Sequence, residues 1–330
     1  MNIILIKAFN KKPWRSPETY QIIESALKSK YKSVAVIIAE NKIQLKSELS
    51  IYSGKSNVFI FNIAEYIEES DNSFIPDTLE ELSLPHLGSS CETIRTGLNK
   101  AKAKKIFREF NILTPDFFLV EENIPDILLP ARKIGYPLFV KPNFSGGHIG
   151  VESDSIVHND EQLIKILKKN LQLYNEPMLV EKYVTEHNMR EFSVGIIGNE
   201  NKILLPIEID YENMQVETRI LSGTAAQKNL EKVKLLKCDE KLKQDICNMA
   251  IQTYKAINCK DYCRVDIRLN NTGLYLLEIN IMPGLGPVSF LPSAAKEIFN
   301  LDYPSLIELL VKESMNRYKL NPGLRQANLQ

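Results

Sequence analysis

Residues 264–292, RVDIRLNNTGLYLLEINIMPGLGPVSFLP, decide how the rest of the chain is read. Side chains alternate across a strand. In the first segment Arg264, Asp266 and Arg268 therefore fall on one side and Val265, Ile267 and Leu269 on the other. In the second, Leu276, Glu278, Asn280 and Met282 alternate with Leu277, Ile279 and Ile281. NNTG at 270–273 is turn chemistry, and two alternating runs joined by such a turn predict an antiparallel hairpin. A register centred on Thr272 places Asp266 opposite Glu278 and Arg264 opposite Asn280. Facing carboxylates repel unless a cation or a shared proton offsets the cost. Asp, Glu and Asn supply the hard oxygens that Mg²⁺ accepts when substrate phosphates complete its shell. Taken alone, the hairpin is equally consistent with a metal-holding face and with a solvated surface of cross-strand arginine–acid pairs. Pro283, Gly284 and Gly286 then break the strand at once, so backbone N–H groups approach a ligand beside the acids, with Ser289 within reach.

The chain has 330 residues, 44% hydrophobic and 25% charged, with 41 basic and 41 acidic side chains. That profile predicts a globular protein of two or three domains. Balanced charge removes the electrostatic case for nucleic acid or an anionic membrane as main partner. Apolar runs such as VAVIIA (34–39) are too short to cross a bilayer, and the N-terminus reads as a strand rather than a secretory signal. A cytoplasmic setting is expected. Five cysteines (Cys91, Cys238, Cys247, Cys259 and Cys263) without a CxxC predict reduced, partly buried thiols.

Strands are expected at 2–8, 34–39 and 57–63. Between the first two lies a helix capped by Ser16, with Pro17 in its first turn and Ile22, Ile23, Ala26 and Leu27 as its apolar stripe. Strands alternating with helices predict a parallel α/β domain over 1–88. A second unit, 89–177, holds a helix at 99–111 and strands at 137–142 and 148–153. A third, 178–330, runs from MLVEKYV (178–184) through REFSVGIIG and NKILLPIEID to a helix at 239–257, the opening hairpin and a helix near 303–317. The fold class is α/β, becoming α+β in the C-terminal part. Residues 211–236 are polar without a sustained period, and predict a mobile lid loop.

SGGHIG at 145–150 follows a strand ending in Lys141. The N–H groups of Gly146, Gly147 and His148 can cover phosphates, although the motif is neither a P-loop nor GxGxxG and most Gly-Gly pairs are turns. His148 reads either as a phosphate or donor contact or as a structural loop residue; His86, His158 and His187 show no partners. The run Lys100, Lys102, Lys104, Lys105, Arg108 is by default a solvated helix face, from which one lysine could reach a phosphate. EKYV at 181–184 reads as an edge strand, and Glu191 is ambiguous by itself.

Placed in order, these pieces resemble the ATP-grasp superfamily, and within it the D-alanine-D-alanine ligases. The resemblance runs from the first strand to about residue 315, and its most specific block is 264–292. PLFVKPNFSGGHIGV and LVEKYVTEHNMREFSVGIIGN are similar to the family's glycine loop and its adenine and ribose segments. It implies an ATP- and Mg²⁺-dependent carboxylate–amine ligase acting through an acyl phosphate, with two metal ions, Mn²⁺ as an alternative, and small carboxylate and amino-acid substrates. Relatives of this kind are commonly dimers. Lys100 and Lys141 match phosphate-binding lysines, Glu181 with the backbone of Lys182 and Val184 matches the adenine segment, and Glu191 matches the ribose ligand. Asp266, Glu278 and Asn280 match the metal ligands. Arg264 matches the arginine on the transferring phosphoryl group, Gly284 the backbone donor to the tetrahedral intermediate, and Ser289 the hydroxyl receiving the acceptor's carboxylate.

The pattern also departs from the family. No acid stands after the first strand to read a donor's amino group; Glu18 lies inside the following helix. Asn213, Met214 and Gln215 follow Asp210-Tyr211-Glu212 where a Lys-Tyr pair is expected, and Gly147 and His148 stand where the ligases often carry serines. A ligase with a donor other than D-alanine, in a specialised peptide or natural-product pathway, and a non-catalytic nucleotide-binding regulator are the alternatives.

Overall fold

The computed structural model describes residues 1–10, 13–68, 70–121, 127–186, 188–214, 219–224 and 232–320. Three sheets organise them. The first is parallel, in the order β2-β1-β3, from β1 (Asn2–Lys7), β2 (Ser33–Ile38) and β3 (Val58–Phe61). Ile3 to Ile6 are buried throughout, as strands covered on both faces require. The helix Pro17–Lys30 starts as expected, the Ser16 hydroxyl accepting the Thr19 N–H. Its buried side is Thr19, Tyr20, Ile23, Ala26 and Leu27, while Ile22 is exposed. Tyr20 takes the place assigned to Ile22, because a side chain at 20 lies in line with 23 and 27.

The second sheet has the order β4-β7-β5-β6: β4 (Phe117–Val120), β5 (Leu138–Pro142), β6 (Ile156–Val157) and β7 (Met178–Lys182). Two expectations change here. Residues 148–153 do not form a strand: Gly147, His148 and Gly150 adopt positive φ, which turns the chain, and a short 3-10 turn follows at Ser153–Ser155. Strand β7 opens the third unit in the sequence reading, yet it is hydrogen-bonded on both sides by β4 and β5. It is an inner strand rather than an edge, and the boundary at 177/178 cuts through a sheet.

The third sheet is antiparallel, in the order β10-β9-β8-β11-β12: β8 (Arg190–Ile197), β9 (Ile203–Ile209), β10 (Val233–Leu235), β11 (Tyr262–Asn270) and β12 (Gly273–Asn280). Part of the predicted lid loop is thus strand β10, paired with β9. Residues 215–218 and 225–231 of that loop, and His187, lie outside the described residues.

The hairpin reaches its expected register by an unexpected route. Asp266 pairs with Glu278 and Arg264 with Asn280, as a centre on Thr272 requires. The turn itself is the pair Asn271 and Thr272, and from Asn270–Gly273 to Ile267–Leu276 the pairing is one residue out of step with that centre. A β-bulge at Leu277 restores the register. Leu276 therefore leaves the carboxylate face and is wholly buried with Val265, Ile267 and Ile279, whereas Leu277 joins Glu278 along a cavity wall. Were the ladder regular, with Leu277 paired, this turn would set Asp266 opposite Leu277. The backbone of Leu276 is held from outside the hairpin: its N–H donates to the Leu113 carbonyl at 2.8 Å, and its carbonyl accepts from the Thr114 hydroxyl at 2.9 Å.

One core joins the ends of the chain. Ile3, Tyr20 and Leu27 pack in the same cluster as Ile207, Tyr262, Leu291 and Leu310. A second cluster lies beneath the hairpin, where Val265, Leu276 and Ile279 meet Phe107 and the helix Glu240–Ala256 through Ile246 and Ala250. Truncating a buried leucine such as Leu276 to alanine costs about 2–5 kcal/mol in such a setting. Among the described residues no helix is long and apolar enough to cross a membrane.

Candidate active site

The second and third sheets face each other across a cleft, and the charged ends of their strands meet there. From the third sheet come Arg264 and Asp266 on β11 and Glu278 and Asn280 on β12. Asp266 is 9% exposed and fully engaged: Ser193 donates to Oδ1 at 2.7 Å, Arg264 to Oδ2 at 2.8 Å and the Asn280 amide to Oδ2 at 2.9 Å. Asn280 also lies 3.4 Å from Glu278 Oε1. The predicted metal residues thus converge on one point of the cleft, with Arg264 beside them. Among the described residues no three His, Cys, Asp or Glu side chains converge as a metal site. Two carboxylates and an amide remain a donor set of the hard-oxygen type. Ser193 was not singled out from sequence; it reaches Asp266 because β8 is the other neighbour of β11, pairing those two residues directly.

The second sheet answers with lysines. Lys141 on β5 lies 2.8 Å from Glu181 Oε1 and 3.8 Å from Glu278 Oε2. Burial works to raise the Glu278 carboxyl, but the positive charges of Lys141, Lys100, His148 and Arg264 outweigh it and push its pKa down to about 2. Glu278 is therefore a fixed negative charge. Lys104 belongs to the run read as a solvated face, yet it is 1% exposed, 2.9 Å from Glu181 Oε2 and donating to Thr114 at 2.6 Å. One carboxylate thus serves two buried ammonium groups. Burial pushes Lys104 down to about 8, while Glu181 and Glu278 together keep Lys141 above its ordinary value against the same burial.

This sharing has a measurable sign. The folded pKa of Lys104 lies below its ordinary value of 10.5, so the folded state sheds that proton first and the unfolded state binds more between the two values. Wild-type stability should therefore rise relative to Lys104→Met as pH goes from about 8 towards 10.5. Parallel denaturation curves of the two proteins across that window would remove the assignment.

Lys100 donates to the Ser145 carbonyl at 2.6 Å and so ties the helix Lys100–Glu109 to the glycine loop. The far side of the loop is anchored by Glu176, which accepts the Phe144 N–H at 2.5 Å and the Ser145 hydroxyl. At Gly147, φ is +63°, and a Cβ would come within 2.7 Å of the Trp14 ring. A Cβ on Gly284 would lie 3.2 Å from the Trp14 Cβ and 3.0 Å from the Ser289 hydroxyl. Trp14 is thus wedged between the two glycine segments, and it is the chain's only tryptophan. Gly147→Ala must displace that ring; it should weaken ADP binding by roughly 10-fold or more, as strained backbone and overpacking each cost about 1–3 kcal/mol. Trp14 emission of the free protein should shift with the displaced ring, and a nucleotide titration gives the affinity. Unchanged affinity and unchanged emission in Gly147→Ala would exclude the contact.

Part of the lid segment already covers this loop. The Gly223 N–H donates to the Val151 carbonyl at 2.8 Å, Thr224 donates to Glu152, and a Cβ on Gly223 would lie 2.8 Å from the His148 carbonyl. His148 lines the cavity beside Lys141 and Glu278.

A narrower recess beyond Lys141 is lined by Phe139, Lys182, Tyr183, Val184, Glu191 and Arg268. The sequence-predicted adenine and ribose residues are thus brought together, but not all by their side chains. Glu181 turns its carboxylate to the lysines, and Lys182 spends its ammonium on the Gly135 and Tyr136 carbonyls at 3.0 and 2.9 Å. Only their backbone remains for a base. Glu191 is buried with Arg268 and Tyr211 as partners.

A cavity of about 490 Å³ extends from Glu278 and Asn280 past Gly284 and Ser289 towards Trp14 and Arg15. Ser289 caps the helix Phe290–Phe299, whose N-terminal end favours an anion, and makes no capping hydrogen bond of its own. At the opposite end Arg15 is buried between Glu65 and Glu68, 3.0 Å from the latter. Neither acid could be placed there from sequence, since both come from the loop after β3.

Comparison with known proteins agrees with this architecture. Residues 108–312 match the family described as D-ala D-ala ligase C-terminus. The D-alanine–D-alanine ligase of Pediococcus pentosaceus is 26% identical over 293 residues, covering 87% of this chain and 80% of that protein. The uncharacterized protein y4sG of Sinorhizobium fredii is 30% identical over 271 residues, covering 80% and 76%. The Bacillus anthracis D-alanine–D-alanine ligase, in a crystal structure complexed with ATP, superposes with a TM-score of 0.76 at 24% identity over 97% of this chain and 99% of that one. With most of the chain matched to one family and its sheets arranged as in that ligase, the protein belongs to the D-alanine–D-alanine ligase family and is an ATP-dependent ligase of the ATP-grasp type.

Proposed function

We propose that the chain joins a small carboxylate to an amine through an acyl phosphate, with the site residues in the roles their positions support. One observation carries this reading: the bulged hairpin sets Asp266 opposite Glu278 and beside Arg264 and Asn280, facing lysines from a second sheet. The recess at Tyr183 and Val184 takes the nucleoside, and the triphosphate runs past Lys141 and Lys100 under the glycine loop Gly146, Gly147 and His148. Asp266, Glu278 and Asn280 would hold Mg²⁺, one ion or two, and the metal when bound neutralises phosphate charge. The fit is one of donor type and convergence, two carboxylates and an amide that half a turn of the Asn280 amide brings oxygen-first to the same point.

The chain's own residues do the rest. Lys100, Lys141 and Arg264 stabilise charge on the transferring phosphoryl group as the donor carboxylate attacks it. An amine then displaces phosphate through a tetrahedral oxyanion within reach of Arg264 and the Gly284 N–H. Ser289 and its helix end hold the acceptor's carboxylate. Residues 219–224, lying on the glycine loop, keep water from the acyl phosphate. Because Arg15, Glu65 and Glu68 form the donor end in place of an acid directly after β1, a donor other than D-alanine belongs to the reading. A homodimer in the cytoplasm completes it.

The test is ADP release with Mg²⁺, ATP and a panel of carboxylates paired with amines. ADP should appear only with a matching acid. No substrate-dependent release from any pair would favour a nucleotide-binding regulator instead.

A further inference from the structure

Arg268 is not among the residues assigned to the reaction, yet it reaches the nucleoside recess from the same face of β11 as Asp266, two residues away. It is 5% exposed. Its Nε donates to Glu191 Oε2 at 2.9 Å, and a second guanidinium nitrogen donates to the same oxygen. Its remaining bonds go to the carbonyls of Val184 and Arg219, both at 3.3 Å, and the guanidinium stands 5.3 Å from the Tyr183 ring centre. The Tyr211 hydroxyl donates to Glu191 Oε2 as well, at 2.9 Å. Three donors therefore converge on one carboxylate oxygen, while Oε1 accepts none among the described residues.

We infer that Arg268 is a positioning residue for nucleotide recognition: with Tyr211 it saturates one oxygen of Glu191, so the carboxylate reads a single ribose hydroxyl through Oε1. This rests on the assignment of Glu191 to the ribose. A carboxylate with both oxygens open straddles a vicinal diol, one hydroxyl on each. An oxygen already holding three N–H or O–H donors has no lone pair left to offer. Two guanidinium nitrogens on one oxygen also aim at it from a rigid planar group, which the single ammonium of a lysine cannot do. Because Arg268 also holds the carbonyls of Val184 and Arg219, the ribose reader, the adenine segment and the cover over the site share one anchor.

Calorimetric titration with ADP, 2′-deoxy-ADP and 3′-deoxy-ADP tests this. For the wild type, loss of one hydroxyl should weaken binding roughly 10- to 100-fold, the range of a hydrogen bond to a charged group, and loss of the other by no more than about 3-fold. Arg268→Met keeps the apolar stem; it should weaken ADP binding by roughly 10-fold or more and level the difference between the two deoxynucleotides. Arg268→Lys should restore overall affinity in part but not the discrimination. Tyr211→Phe, which removes one donor and little volume, should narrow the discrimination even if the arginine variants fold poorly. Equal losses for both deoxynucleotides in the wild type, or an Arg268→Met protein that binds and discriminates as the wild type does, overturns the inference. Glu191→Gln separates the two layers: if it binds all three nucleotides as the wild type does, the ribose assignment itself is at fault.

Discussion

Asp266→Asn combined with Glu278→Gln is expected to lower ligase turnover by on the order of 10³-fold or more, with the fold retained. Both changes keep the shape of the side chains. What they remove is two negative charges facing Lys141, Lys100 and Arg264. The consequence for binding has a definite sign. With the acids gone, the cleft facing the phosphates becomes more positive, although Glu181 still compensates Lys141, so ADP without metal should bind as well as before or better. The enhancement of binding by Mg²⁺ should vanish. Thermal unfolding, metal-free titration and Mg²⁺ titration of the same sample separate these effects. Substantial turnover, or a Mg²⁺ response like that of the wild type, means the metal is held elsewhere.

Deleting Ile279 should be nearly as damaging, although Ile279 bears no reactive group. The bulge at Leu277 brings Glu278 opposite Asp266, and Ile279 opposite Val265 carries the alternation on to Asn280 opposite Arg264. Removing Ile279 forces a choice. Either the bulge stays and Asn280 turns into the core while Ile281 faces the cleft, or the ladder closes without the bulge and Glu278 is the residue turned inward. A one-residue slip exchanges the two faces of a strand, and burying an unpaired carboxylate costs several kcal/mol. The deletion should therefore abolish activity and lower the melting temperature sharply. Deleting Leu277 instead leaves every pair from Asn270–Gly273 to Arg264–Asn280 in place on a regular ladder, and should keep the fold and a measurable part of the activity. An Ile279 deletion of normal activity, or a Leu277 deletion as damaging as that of Ile279, would show that the alternation past the bulge does not set the site.

Much of the site was legible because strand periodicity is local. Asp266, Glu278, Asn280 and Arg264 could be put on one face from alternation alone, and the structure pairs them as that alternation implied. Leu276 and Leu277 were exchanged because nothing in the string LYLLEI marks which leucine is the extra one. The outside contacts decide it, with Leu113 and Thr114 satisfying the backbone of Leu276. Lys104 shows the same limit. In sequence it is one of five cations on a short helix and is indistinguishable from Lys102 or Lys105, which are exposed. Its burial follows from Glu181, 77 positions later on another sheet.

Thus the sequence by itself determined the parallel first sheet with its capped helix, the long strands and hairpin of the third sheet, and which hairpin face is chemical, because hydrophobic period, turn residues and capping groups act over a few positions. Tertiary structure alone decided the pairing partners: β7 as an inner strand of the second sheet, the bulge at Leu277, the two lysines on Glu181, and Arg268 on Glu191. Those depend on burial and charge compensation between segments far apart in the chain. There the cost of leaving an ion or a backbone group unpaired selects one arrangement among many that local preference allows equally.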